Sequence, residues 1–291
     1  MKWLRVLLNL LAILLLGVIA FALVGIYLYH GTPRWYHRKI ATTQQVKDAA
    51  NRADQKLIDL FSWAASAQAQ DQRRLAGRLS PAEAPVGPKT ITFDDEEINS
   101  FAASWKGAEK TAIQERISRY FTDGRVVFGD DAIILVGQSP SFGTLASAEF
   151  TPSIDGQGKL HVDFSTLRAG LLPVPQSTFS SQLQRLQELL REQLLMQQGS
   201  VQIDSGLRAN ASALAASWLR LLLSAMDDQA ADADLIIPFN MSNLGEGFPV
   251  RVTAIHATEG QITLTLEPVP AQDRRALVQR LKEAWGAGEG Q

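Results

Sequence analysis

The chain has no cysteine among its 291 residues. Disulfides, thiolate metal sites and cysteine nucleophiles are thereby excluded, and the redox compartment cannot be read from thiol usage. Histidine is scarce, with His30, His37, His161 and His256 the full set. No two of them stand three or four residues apart, the spacing that puts a pair of imidazoles on one helix face for zinc. His30 and His37 stand at the far boundary of a long apolar run, and His161 and His256 fall on the polar parity of strand-like runs, where a solvated histidine is the plain reading. Neither sign of charge is in surplus: Lys plus Arg is 28 against 30 for Asp plus Glu, a net charge of −2. That balance argues against nucleic acid as a partner and shows no acidic solvating tail.

Catalytic signatures are lacking too. "GQSPS" at 137–141 has no second glycine for a nucleophile elbow, and Pro140 obstructs the helix such a turn must feed. "NLGEGFP" at 243–249 has no Lys followed by Ser or Thr, so it reads as a turn rather than a phosphate cradle. The sequence therefore supports neither an enzyme nor a cofactor nor a metal site.

What is present is led by "VLLNLLAILLLGVIAFALVGIYLY", residues 6–29, with Asn9 its one clearly polar side chain. As a helix it extends roughly 36 Å, enough to cross a hydrocarbon core of about 30 Å with some tilt. Tyr27, Tyr29, Trp35 and Tyr36 gather at its far end like an interfacial aromatic belt. We read a single-pass membrane anchor with its flanks over residues 1–39. The alternative is a cleaved signal peptide, for which Ala20, Phe21 and Ala22 offer a small-x-small site, but the apolar run continues past it. Lys2 and Arg5 lie on one side of the run and Arg34, Arg38 and Lys39 on the other, so the positive-inside rule does not set the orientation. The short basic amino terminus resembles an export signal left uncut. That places the chain in the cell inner or plasma membrane with an extracytoplasmic body.

Residues 40–79 are rich in Ala and Gln, and no proline or interior glycine interrupts them before Gly77. Val46, Ala50, Ala53, Leu57, Leu60, Phe61 and Ala64 recur at helical spacing and form one apolar stripe on a polar rod. Such a rod is a helical stalk able to meet a protein partner, a weak coiled coil, or a helix laid on the main domain. "SPAEAPVGP", with its three prolines, marks residues 80–89 as a stiff linker and a domain boundary.

The main domain runs over 90–286, followed by a short tail at 287–291. "KTITF" reads as a strand, and Asp94 caps a helix whose first turn holds Asp95, Glu96 and Glu97. Clustered acids could serve general acid chemistry or a hard metal, but at a helix start they complement the free amides and the dipole. Three hairpins follow from turn signals at Gly129 to Asp131, Asp155 to Gly158, and Glu259-Gly260. Phe179, Leu183, Leu186, Leu190 and Leu194 mark one amphipathic helix face, and Leu207, Ala211, Leu214, Trp218, Leu221 and Ala225 mark a second. A short helix bearing Leu277, Leu281 and Trp285 closes the domain. The fold class is α+β, with a curved antiparallel sheet on long amphipathic helices behind an N-terminal transmembrane helix.

"STLRAGLLPVPQSTF" at 165–179 keeps apolar residues where a solvated turn is expected. Pro173 and Pro175 stiffen the bend, and Ser177 or Thr178 offers a cap for the next helix. Leu171, Leu172 and Val174 then either plug the end of the core or, with Phe179 and Leu183, rim an apolar groove between sheet and helix. Such a groove would suit an acyl chain, since burial yields about 0.8 kcal/mol per methylene.

The anchor, the strand with "ITFDDEEINSF", the paired strands, the "GKLHVDFSTLRAGLLPVP" junction and the closing "VRVTAIHATEGQITLTLEP" hairpin resemble bacterial membrane-anchored proteins with tubular lipid-binding-like domains. The resemblance covers about residues 90–268. It implies a strongly curved sheet wrapped on a long helix, with lipid held in the apolar seam. The second apolar helix, 207–226, departs from that pattern and could fill the seam instead. Two functions follow: an envelope protein that binds or shuttles a lipid or other apolar ligand, or an anchored scaffold of the cell envelope with a solid seam.

Overall fold

The structure is a computed structural model that describes residues 23–33, 36, 42–77, 85–104, 122–140, 143–175, 214, 217–218, 221, 231–238, 247–270, 273–274 and 276–277. Most of the apolar run at 6–29, the linker residues 80–84, all of the apolar pattern at 179–194 and most of the one at 207–225 lie outside these. Among the described residues no helix is long and apolar enough to cross a membrane. Residues 23–30, the far end of the run, are helical.

The Ala/Gln-rich segment forms helix α1, Thr43–Leu75. Thr42 caps it through a reciprocal box with Gln45: each side chain reaches the other residue's backbone amide. At the other end Ala76 and Gly77 close the carbonyls of Gln72 and Arg74, with Gly77 at φ +66°. The stripe is buried at Ala49, Ala50, Ala53, Leu57, Leu60, Phe61, Ala64 and Ala67. From Leu57 onward those residues belong to the same cluster as the strands. The rod is thus a helix laid on the domain, and a stalk set apart from it is corrected. The described end of the proline-rich linker is pinned back to the helix, since Val86 N–H donates to Gln70 Oε1 at 2.8 Å and Trp63 Nε1 donates to the Gly87 carbonyl at 3.1 Å. The linker therefore separates two elements of one core rather than two domains.

The strands are β1 (Lys89–Asp94), β2 (Thr122–Gly129), β3 (Ala132–Ser139), β4 (Thr144–Ile154), β5 (Lys159–Ala169), β6 (Leu172–Pro173), β7 (Ala231–Asp232), β8 (Asp234–Pro238), β9 (Gly247–Thr258) and β10 (Gln261–Pro268), with α2 (Asp95–Ser104) after β1. All pairings are antiparallel, and the expected hairpin turns join β2 to β3, β4 to β5 and β9 to β10. Where the sequence suggests one sheet, the structure has two: a four-stranded sheet in the order β1-β10-β9-β8 and a six-stranded one containing β2-β3-β4-β5-β6, with β7 also on β5. The division falls at Ala233, a fully buried residue between β7 and β8. Its amide reaches the Gly158 carbonyl beside one sheet and its carbonyl accepts from Val252 in the other. Alternation along a strand records which face is apolar but not which strand is the neighbour, so this split leaves no mark in the sequence.

A second seam ties two hairpin turns together. Asp131 N–H donates to Ala257 O at 3.0 Å and Gly260 N–H donates to Phe128 O at 2.9 Å. The edge strand β2 is covered at Val126 by the Asn99 side chain of α2, which accepts from the Val126 amide and donates to its carbonyl. The carboxamide thus takes the place of a neighbouring strand at one residue. Between the layers lie Phe248, Leu160, Leu235, Ile237, Val250 and Val252, all essentially inaccessible to solvent. Trp63 of α1 meets Phe248 edge to face with centroids 6.4 Å apart.

Candidate functional site

The greasy bend at 170–174 is explained by what it touches. β5 ends at Ala169, and the chain turns through Gly170 at φ +62°, a backbone conformation costly for any residue with a Cβ. Gly170 N–H donates to Leu145 O at 2.7 Å, and Val174 N–H donates to Leu167 O at 2.8 Å, so the bend is tied to strands on both sides. Leu172 and Pro173 pair with Ala169 and Arg168. The bend is then held against the end of helix 23–30.

A helix terminus leaves its last carbonyls without intrahelical partners. Here the Leu171 amide donates to Leu28 O at 2.7 Å, and Thr144 Oγ1 donates to Tyr29 O at 2.5 Å. A Cβ on Gly170 would overlap the Leu28 and Tyr29 carbonyl oxygens, and one on Gly31 would run into the Leu171 side chain. Two glycines therefore permit the close approach, and Leu171 covers Gly31. Thr144 and Leu171 belong to β4 and to the β5–β6 turn, so one end of the six-stranded sheet caps the apolar segment.

The helix it caps presents Leu23, Val24, Ile26 and Tyr27 to the outside at 55–72% exposure. Four large apolar groups in one short segment form a patch of the kind that marks contact with a membrane or a partner. Its polar end is satisfied by the domain while its apolar flank is unclothed. This is the chemistry of a joint: it brings together helix-end carbonyls, the Thr144 hydroxyl and apolar surface.

Of the five groove residues expected from the sequence, Leu171, Leu172 and Val174 are partly buried on the bend, while Pro173 and Pro175 are exposed. Leu171 is committed to the helix end. Phe179 and Leu183 lie outside the described residues, and the structure places neither. Sequence reasoning missed Thr144, Gly31 and Gly170 as a set. Gly31 and Pro33 directly after an apolar run do form a helix-stop signal, and it was the one clue available.

Among the described residues, other polar clusters tie elements of the fold together. Among the described residues no three His, Asp or Glu side chains converge as metal ligands. Asp155 accepts from the Gln157 and Lys159 amides at 2.8 and 2.9 Å and lies 3.0 Å from His161 Nε2, which staples the β4–β5 turn. The His161 hydrogen bond and those amides pull the Asp155 carboxyl down to about 2. Asp234, buried, is held by Arg251 through Nε at 2.8 Å and through Nη2 at 3.3 Å, where β7 passes into β8. The acids at 94–97 do more than complement a dipole: Glu97 is buried and bound to Arg52 and Lys56 of α1.

In comparisons with family models, curated proteins and solved structures, nothing matches the chain.

Proposed function

We propose that the chain is a single-pass membrane protein, anchored in the cell inner or plasma membrane through residues 6–29 with its domain extracytoplasmic. We propose further that the domain binds or shuttles a lipid or other apolar ligand at the bend carrying Leu171, Leu172 and Val174, with Phe179 and Leu183 continuing the groove. The observation that carries this reading is the joint. The bend sits directly on the end of a helix that exposes Leu23, Val24, Ile26 and Tyr27, so half-buried apolar groups stand where that helix would leave the bilayer. In the same reading the two sheets form one curved layer wrapped on the amphipathic helices and continuous through residues 231–238. The test is organic extraction of the purified full chain followed by mass spectrometry of the released lipids. One lipid class in near-stoichiometric amount is expected, and lipids in the proportions of the bulk membrane overturn it.

A second reading is favoured by a separate observation. Leu214 and Leu221, from the second apolar helical pattern, are buried in the strand core, and Trp218 packs on it. A seam filled by these side chains supports an anchored scaffold of the envelope with no ligand cavity. Its partner face would be the outer side of α1, where Ile58 is 41% exposed. Absence of retained lipid together with specific cross-linking at Ile58 selects this alternative.

A further inference from the structure

We propose that the end of the six-stranded sheet bearing the joint is a docking surface for anionic lipid headgroups, gripped by Arg125 and Arg168. The inference rests on the reading that residues 6–29 lie in a membrane. One row of directly paired residues crosses the sheet: Arg125 opposite Val136, Val136 opposite Ser147, Ser147 opposite Arg168, and Arg168 opposite Pro173. Directly opposed residues of antiparallel strands project to the same face, so both guanidinium groups leave the same side of the sheet. Three strand spacings separate their backbones, roughly 14 Å. Val136 and Ser147 between them are buried, so the two cations flank a covered strip.

Arg168 is two residues from Gly170, and Ser147 is three from Thr144, the two positions that hold the helix end. Arg168 therefore lies close to the point where the apolar helix meets the domain, and Arg125 stands three strands further across the sheet. In sequence Arg34, Arg38 and Lys39 follow the same helix end. Both arginines are partly buried, and among the described residues neither is in an ion pair or a side-chain hydrogen bond. Arg251 and Arg274, the other partly buried arginines among the described residues, each have a carboxylate. The described acids nearest to the row in the strands are Asp123, two residues before Arg125, and Glu149, opposite Thr166 and one pair further from the joint than Arg168. A partly desolvated guanidinium without a counter-ion is an incomplete site, and a lipid phosphate matches its planar fork. The joint supplies the position and the row supplies the charge.

The test uses the full chain in detergent micelles, incubated with phosphatidylglycerol or with phosphatidylcholine, and counts bound lipids by native mass spectrometry. The wild-type chain is expected to retain phosphatidylglycerol over phosphatidylcholine. Arg125→Gln and Arg168→Gln each lower that preference about five-fold, and the double variant roughly twenty-five-fold. Lysine at both positions is expected to keep most of it. Equal retention of the two lipids by the wild type, an unchanged double glutamine variant, or loss in the lysine variant as complete as in the glutamine variant overturns the proposal. Alkaline washing of membranes separates it from the anchoring reading. Release of the chain removes both, whereas a retained chain without headgroup preference removes this inference alone.

Discussion

Lys56 Nζ lies 2.6 Å from Glu97 Oε2, joining the middle of α1 to the first turn of α2. Arg52 Nε approaches the other carboxylate oxygen at 3.2 Å, and the Asp94 amide donates to Oε2 at 3.0 Å, so a carboxylate only 1% exposed is fully partnered. Burial alone would raise the Glu97 carboxyl, but the Lys56 bond and charge, the Asp94 amide and Arg52 outweigh it, and its pKa lies below the ordinary value of 4.5. A group held lower in the folded than in the unfolded chain contributes its full stability above the unfolded value. That contribution is lost as pH falls through the folded one. Glu97→Gln should cost about 2 kcal/mol near neutral pH, at the middle of the range for a charged hydrogen bond because both cations are partly exposed. The difference between variant and wild type should shrink in acid, and denaturation at a series of pH values checks both statements.

Placing α1 in the core makes a second prediction. Leu60 is 3% exposed in the cluster that also holds Phe248 and Ile237. Leu60→Ala removes a buried side chain and leaves a cavity, so it should destabilise the chain by about 3 kcal/mol. Ile58→Ala on the outer face should cost well under half of that. A stalk free of the domain would make the two variants alike, and thermal unfolding of both in the same detergent distinguishes the cases.

Local signals in the sequence carried much of this fold. Thr42 and Gln45 set one end of α1 and Gly77 the other, and Asp131, Gly158 and Gly260, all at positive φ, set three of the turns. Each of these depends on a few neighbouring residues. The division into two sheets depends instead on Ala233, an unremarkable small residue whose role comes from Gly158 and Val252 on either side. The joint is less legible still, since Thr144 and Tyr29 are 115 residues apart and a threonine at a strand start has many ordinary uses. Glu97 was readable as a helix-start acid but not as the partner of Arg52 and Lys56, more than forty positions upstream. The apolar bend shows in the sequence as an excess of Leu and Val in a turn. Its contact with Gly31 could not be deduced without the fold.

The Asp155 turn offers a titration that needs no unfolding. Its carboxyl is held at about 2, so it should stay ionised through the range in which exposed aspartates protonate. Lowering the pH toward 2 should break the His161 contact and loosen the amides of Gln157 and Lys159 together, with the hairpin intact at pH 4. His161→Ala should move the Asp155 midpoint upward while leaving a residual depression from the two backbone donors. Carboxyl-detected NMR titration of both proteins measures this, and an Asp155 midpoint near 3.8 in the wild type would contradict the turn geometry.

The bend at Gly170 is where the domain and the helix end approach most closely. Gly170→Ala introduces a Cβ into the space held by the Leu28 and Tyr29 carbonyl oxygens, at a backbone angle that already disfavours it by about 1–2 kcal/mol. The strands on either side are fixed by their own ladders, so relief should come by separation of the helix end from the bend. The Leu171 amide then loses Leu28 O, and hydrogen exchange at Leu171 should accelerate by an order of magnitude or more, while exchange in β9 and β10 stays as in the wild type. Thr144→Val removes the other contact but adds no bulk beyond that of threonine, so it should loosen the joint to a smaller extent. If exchange at Leu171 is equally fast in the wild type and in Gly170→Ala, the bend does not cap the helix. The apolar residues at 171–174 would then need another partner.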